Sequence, residues 1–172
     1  IEGEPWIERA TVTRKLPNAL SVRVIEHVPS ALVAIAGEMY FATHEGVMFK
    51  QLEPGDPVDL PVITGVSAEL VRLDRKGAEH AVRRGVEVAR DLAASSIGQR
   101  MPVQEVAIDK DGTVVAIVGS GGVALHLGHE PFRPKIQQAE RVLAEIARRR
   151  AEAAIVFLDN DANPERVVVR LK

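Results

Sequence analysis

The sequence predicts an α+β fold in which antiparallel β-meander sheets pack with two main amphipathic helices. Three observations predict it. Short stretches of alternating apolar and polar residues recur between turn-forming residues, which is typical of strands. Two longer stretches place apolar residues three and four positions apart, which is typical of helices. The chain has 172 residues, of which 46% are hydrophobic and 27% charged, so it can enclose a core between these elements.

The first two strands lie between Pro5 and Ala34 and meet at a turn, Pro17-Asn18. Apolar residues alternate with polar ones on both strands, which predicts one buried face and one solvent face. A two-stranded ribbon is marginally stable alone, so we expect this hairpin to belong to a larger module whose other elements lie outside the sequence. The apolar residues of the alternation are Ala10, Val12, Leu20, Val22 and Val24.

Shorter strands follow in two meanders, separated by a helix. Residues 51–61 contain three prolines and a glycine, which predicts a loop. The strands of the first group are predicted at 31–36, 39–42, 47–49 and 62–65, and those of the second at 103–108, 114–118 and 123–127.

The helices are predicted at 78–94 and 134–150, where apolar side chains form one stripe along each helix. Asp74 is a start signal for the first helix and Gly98 a stop signal. The triple arginine at 148–150 would complement the dipole at the C-terminal end of the second. Two strands, 154–158 and 166–171, close the chain.

Composition excludes several classes of function. The net charge of −2 gives no strong field toward nucleic acid or anionic lipid. Cysteine is absent, which excludes disulfides, thiol catalysis and cysteine-type zinc sites. No apolar run approaches the roughly 20 residues that span a bilayer, and no signal peptide is visible at Ile1. An anchor upstream of Ile1 remains open.

A glycine-rich stretch offers one chemical alternative. Gly119-Ser120-Gly121-Gly122 follows an apolar strand and begins a pattern that binds dinucleotides when it opens a helix. Here it precedes the alternating residues 123–127, so a hairpin turn is the favoured interpretation. A small nucleotide-binding enzyme stays an alternative, to be decided by whether a helix or a strand follows Gly122.

Metal and nucleophile motifs are weaker still. Asp159-x-Asp161-x-Asn163 begins like a calcium loop, but the glycine and glutamate that such a loop needs are replaced by Pro164 and Arg170. The pair His126 and His129 has no third ligand nearby in sequence. No Ser-His-Asp order is evident either. We therefore predict no metal site, no cofactor and no catalytic residue.

The hairpin carries the most specific pattern in the chain. Residues 5–31 read P-W-I-x-x-A-x-V-x-R-x-x-P-x-x-L-x-V-x-V-x-E-x-x-P-x-A and closely resemble the bacterial cell-division protein FtsQ (DivIB) family. Weaker matches in the same order extend the resemblance over nearly the whole chain. They are Gly46-Val47-x-Phe49, Leu60-Pro61-x-Ile63-x-Gly65, Leu127-Gly128, the helix containing Lys135 and the closing pair of strands.

This resemblance implies that residues 1–29 are the C-terminal part of a POTRA domain and that residues 30–172 are an FtsQ-type β-domain. It implies a single-pass protein of the inner membrane, with this part of the chain in the periplasm. It further implies a scaffold without enzymatic activity that recruits FtsB- and FtsL-like divisome proteins. Another POTRA-containing protein, such as an outer-membrane assembly or secretion factor, remains an alternative.

The last strand is the predicted partner-binding element. A terminal strand often lies at a sheet edge, where unpaired backbone groups accept a strand from another protein. The resemblance to the FtsQ family implies that this edge binds FtsB, and proline at Val168 is expected to weaken such binding. The alternative is that these valines only pack the core. The predicted partner-binding residues are Phe157, Asp159, Arg166, Val167, Val168, Val169, Arg170 and Leu171.

One departure from the family concerns charge. The family often shows Val-Asp-Leu-Arg in the penultimate strand, and its arginine contacts an acidic residue of the partner. This chain has Val156-Phe157-Leu158-Asp159 instead. Either the partner has changed sign here, or Arg166 or Arg170 replaces the missing cation.

Overall fold

The computed structural model describes residues 3–172, which form two β-sheets and three helices. The predicted α+β class is confirmed. A small sheet contains β1 (Ile7–Lys15) and β2 (Ala19–Glu26). The helices are α1 (Ala68–Leu73), α2 (Arg75–Ala94) and α3 (Phe132–Arg148). The strands of the large sheet are β3 (Ala31–Ile35), β4 (Glu38–Ala42), β5 (Met48–Gln51), β6 (Val62–Thr64), β7 (Val103–Ile108), β8 (Val114–Val118), β9 (Val123–Gly128), β10 (Ala153–Phe157) and β11 (Val168–Leu171).

The large sheet has nine strands in the order β11-β10-β9-β8-β7-β6-β3-β4-β5. The two predicted meanders, β3-β4-β5 and β7-β8-β9, are antiparallel as expected. The sequence did not predict three parallel pairings, in which β6 joins β3 and β7, and β9 joins β10. Two of these pairs, β6–β7 and β9–β10, are parallel because a helical connection, α1–α2 or α3, returns the chain to the start of the neighbouring strand.

α2 begins earlier than predicted, and α3 both begins and ends two residues earlier than predicted. Asp74 caps α2 as predicted, since its Oδ1 accepts the Gly77 N–H at 2.9 Å, but the helix already begins at the next residue. α1, capped by Ser67, was missed because its six residues are too few to show a period. α3 covers 132–148 instead of 134–150; Pro134 is accommodated because N–H groups of the first turn have no intrahelical acceptor.

The core lies between one face of the large sheet and the helices. It is built almost wholly from aliphatic side chains, as the composition predicts, and α2 and α3 both contribute to it. Central strands such as β8 therefore alternate between buried and half-buried residues. The opposite face of β7–β10 carries only half-buried side chains, which leaves the sheet covered by helices on one side.

The N-terminal hairpin has the predicted pairing but a different environment. Ala10 pairs with Val24 and Val12 with Val22, so the alternating apolar residues do share one face. That face is exposed, with 56% of Val12 and 70% of Leu20 accessible to solvent. No element between residues 3 and 172 covers this face, so the burial predicted from the alternation does not occur within the described residues.

Aromatic residues join the base of the hairpin to the large sheet. The ring of Trp6 lies 5.2 Å from that of Phe41 and 5.3 Å from that of Phe49, and His27 stacks on Phe49 at 4.6 Å. The His27 N–H also donates to the Trp6 carbonyl at 2.8 Å. Such ring pairs contribute about 0.5–1.5 kcal/mol each beyond their buried area. The hairpin is thus attached beside β5, at the end of the sheet opposite β11.

Candidate protein-interaction surface

β11 lies at an outer edge of the nine-stranded sheet, where the sequence predicts it. It pairs with β10 alone, in antiparallel register, with Val168 opposite Phe157 and Val169 opposite Val156. A β-bulge lies in β10 between Ala153 and Ile155. Only Val168–Leu171 belong to the strand, so Arg166 and Val167 of the predicted strand lie before it. Their position follows from a turn, because the Arg166 N–H donates to the Asn163 carbonyl at 2.9 Å.

The backbone of β11 presents alternate residues to its free side. The Lys172 N–H donates to the carbonyl of Glu152, the residue before β10, at 3.0 Å. Because backbone groups of successive strand residues point in opposite directions, those of Val168 and Arg170 also face β10. The N–H and C=O groups of Val169 and Leu171 face outward, where no strand of the described chain pairs with them. The prediction that proline at Val168 removes a donor from the free edge is therefore wrong, because the Val168 N–H faces β10.

Side chains of β11 divide between the two faces of the sheet. Val169 packs against the core, and with Leu171 it lines a groove of about 430 Å³ whose other wall is α3. Val142 and Ile146 are the apolar α3 residues in this groove. On the opposite face Val168 is 50% exposed and pairs with half-buried Phe157, whose ring lies 4.8 Å from that of His126. A strand added to β11 would meet apolar surface on both faces.

Charged groups surround the apolar edge. The groove is bordered by Arg141 and by Glu145, whose carboxylate accepts a hydrogen bond from Arg149 Nε at 2.7 Å. This hydrogen bond, with the charge of Arg148 beside it, holds the pKa of Glu145 below its ordinary value. Glu145 on the border of the groove is therefore ionised at neutral pH.

The loop before β11 is acidic, whereas the strand and its approach are basic. Asp159 lies beyond the end of β10 and is exposed, as are Arg166 and Arg170. None of these three forms an ion pair within residues 3–172, whereas Asp161 is held by Lys135 at 3.0 Å. All three charges are consequently available to a partner.

The structure brings most of the predicted site residues to one edge. The edge strand contains Val168, Val169, Arg170 and Leu171, and Phe157 pairs with it. Val167, just before the strand, packs against the core. Sequence reasoning missed the α3 side of the groove. The apolar stripe of α3 predicts a buried face, but it does not show that Val142 and Ile146 stay half-exposed in the folded chain.

The nucleotide alternative is overturned. Gly122 is followed by β9, and Gly119 to Gly122 form the tight turn of the β8–β9 hairpin, closed by a Gly122 N–H to Gly119 carbonyl bond of 3.0 Å. A pyrophosphate site of this type needs a helix N-terminus there. Within the described residues, no three His, Asp or Glu side chains are grouped to hold a metal ion. Likewise, none of the helices in residues 3–172 combines the length and apolarity needed to cross a membrane.

Comparison with known proteins gives the class and then the family. A family model described as "POTRA domain, FtsQ-type" matches residues 1–27, and "Cell division protein FtsQ/DivIB, C-terminal" matches residues 31–159. The fold and these matches define a bacterial cell-division protein of the class that joins a POTRA domain to a β-domain. The chain belongs to the FtsQ/DivIB family.

Individual relatives agree with this assignment. Proteins named Cell division protein FtsQ match from Myxococcus fulvus (36% identity over 171 residues), Anaeromyxobacter sp. strain K (32% over 172) and Geotalea daltonii (32% over 146). The matches cover 99%, 99% and 85% of this chain, but 59%, 58% and 53% of the relatives. The chain thus spans little more than half the length of the curated relatives it matches.

Proposed function

We propose that this chain is the partner-binding part of a divisome scaffold, without enzymatic activity, that recruits FtsB- and FtsL-type proteins by β-strand addition to β11. The observation that carries the proposal is the free side of β11, where the backbone groups of Val169 and Leu171 have no partner strand in the described chain. An added strand would gain backbone hydrogen bonds from these residues and side-chain contacts on both faces. The eight residues from Phe157 to Leu171 predicted from the sequence, and the α3 wall of the groove, are the proposed contact surface.

The other sheet edge is less suited to this role. β5 is flanked by the aromatic contacts of Phe49 with Trp6 and His27. Its Lys50 is only 10% exposed, because it binds Asp56 and Glu53 of the following loop. The hydrogen bond that Lys50 Nζ donates to the Asp56 carboxylate raises the pKa of Lys50 and lowers the pKa of Asp56, so the pair stays charged. An edge strand that carries a charged side chain and is flanked by aromatic contacts is less suited to pairing with another strand.

Charge would add specificity to this surface. Asp159, which the family resemblance places where an arginine is often found, is exposed beyond the end of β10. We propose that the partner of this protein carries a basic residue opposite Asp159, or that Arg166 or Arg170 meets an acidic one. Complementary rim charges chiefly raise the association rate and exclude wrong partners.

Localisation and domain division belong to the same proposal. Family membership supports an inner-membrane protein with this chain on its periplasmic side. The separate small sheet supports a division into residues 1–29, the end of a POTRA domain, and residues 30–172, the β-domain. Ile1 and Glu2 of the first segment lie outside the described residues.

The experiment is co-purification of the whole protein that carries this chain, tagged and extracted from membranes of its own cell. We expect FtsB- and FtsL-type proteins in the eluate, in amounts close to that of the tagged protein. An untagged strain is the control. Recovery of the tagged protein with neither partner would contradict the proposal.

A further inference from the structure

Two side-chain hydrogen bonds attach the loop between β10 and β11 to α3. Most of its residues are exposed. Inside the loop, the Asn163 N–H donates to the Asn160 carbonyl and the Arg166 N–H donates to the Asn163 carbonyl. These bonds shape the loop but do not place it on the protein. Its placement depends on side chains of α3 and on the end of β9.

Lys135 makes the central contact. Its Nζ donates to the His129 carbonyl at 2.7 Å and to Asp161 Oδ1 at 3.0 Å. The Lys135 side chain is only 12% exposed, whereas Asp161 is 63% exposed. An ammonium group withdrawn this far from water needs fixed acceptors, so it is held between the end of β9 and the loop.

Two neighbouring contacts also hold the loop in place. Gln138, one turn further along α3, donates from Nε2 to the Pro164 carbonyl at 2.8 Å. Gly128, with φ of +63°, lies so close to the loop that a Cβ there would come within 2.8 Å of Asp159 Cβ. The loop is consequently held at Asp159, Asp161 and Pro164, which are spread along the segment that leads into β11.

The geometry points to Lys135 as a positioning residue for the edge strand, with Gln138 as its support. β11 has four residues and only one paired side, so its order depends on the loop that precedes it. A partner strand binds more tightly to an edge that is already ordered, because less conformational entropy is lost on binding. The part of this inference that concerns partners rests on the proposed function; the part that concerns order in β11 does not.

The test compares Lys135→Met with Arg133→Met in the whole chain. Both variants remove one positive charge from the first turn of α3, but Arg133 binds Asp91 on α2 and does not contact the loop. Amide hydrogen exchange is measured at Val168 and Arg170, whose N–H groups face β10 in the free protein. We expect exchange there to be at least about tenfold faster in Lys135→Met and unchanged in Arg133→Met.

A double-mutant cycle separates this role from general destabilisation. Asp161→Ala should also accelerate exchange in β11, and the double variant should add little to either single change, because the two residues form one contact. Unchanged exchange in Lys135→Met, or equal acceleration in Arg133→Met, would overturn the positioning role.

Binding of the purified FtsB-type protein is then measured with the same variants. We expect about tenfold weaker binding for Lys135→Met and wild-type binding for Arg133→Met. Faster exchange in β11 with unchanged affinity would overturn the effect on partners and leave the tether established. Failure of the wild-type protein to bind would instead overturn the proposed function, while the exchange result would still decide the role of Lys135.

Discussion

Val169→Pro is expected to weaken binding of the FtsB-type partner at least about tenfold while the nine-stranded sheet stays folded. The Val169 N–H faces away from β10, so proline removes a donor that only the partner uses. One such hydrogen bond is worth about 0.5–1.5 kcal/mol, and the proline ring also blocks close approach of the added strand. Proline is tolerated on an edge strand when its missing N–H faced solvent. The measurement is a titration with the purified partner, alongside thermal unfolding of the variant.

Val169→Ala is the matched control because it also shortens the side chain but keeps the N–H. We expect its affinity to lie within about threefold of wild type. Leu171→Pro removes the other outward donor and should weaken binding in the same way as Val169→Pro. Equal affinities for Val169→Pro and Val169→Ala, with both variants folded, would show that backbone pairing at β11 does not hold the partner.

Gly65→Ala is expected to destabilise the β-domain by more than about 3 kcal/mol. Gly65 follows β6 and has φ of +91°, a conformation that costs other residues about 1–3 kcal/mol. A Cβ at this position would also lie 1.9 Å from the Ile108 carbonyl oxygen of β7. The close approach is a consequence of the parallel pairing of β6 and β7, so relief of the contact would disturb the centre of the sheet.

Gly37→Ala is the control that separates the steric contact at Gly65 from the cost of the backbone conformation. Gly37 has nearly the same φ, +89°, but no atom lies within 4 Å of a Cβ built there. Its substitution should cost only the backbone term of about 1–3 kcal/mol. Urea unfolding of the two variants measures the difference. Equal free energies of unfolding would contradict the claim that the backbones of β6 and β7 pack too closely for a side chain.

The sequence predicts the positions of the strands along the chain better than it predicts which strands pair in the sheet. Local alternation is enough to locate β7, β8 and β9 and their tight turns, since each pairs with its neighbour in sequence. The position of β6 between β3 and β7 depends on contacts between distant segments. No local pattern around Val62–Thr64 encodes those contacts.

At the candidate site, too, the sequence predicts the location of the strand but not its contacts. The final position of β11 in the chain suggests an edge, and the structure places it there. Which of its residues face outward depends on the register with β10, so the sequence favours Val168 where the ladder leaves Val169 free. The contacts of Lys135 could not be predicted either, because they join α3 to a loop 26 residues later in the chain.

Amide hydrogen exchange at Val169 and Leu171, measured with and without the bound FtsB-type partner, tests strand addition most directly. In the free protein these two amides face solvent and should exchange fast, whereas those of Val168 and Arg170 are already bonded to β10. At saturation we expect protection to rise at least about tenfold at Val169 and Leu171 and to change little at Val168 and Arg170. Unchanged exchange at Val169 and Leu171 in a saturated complex would contradict the account.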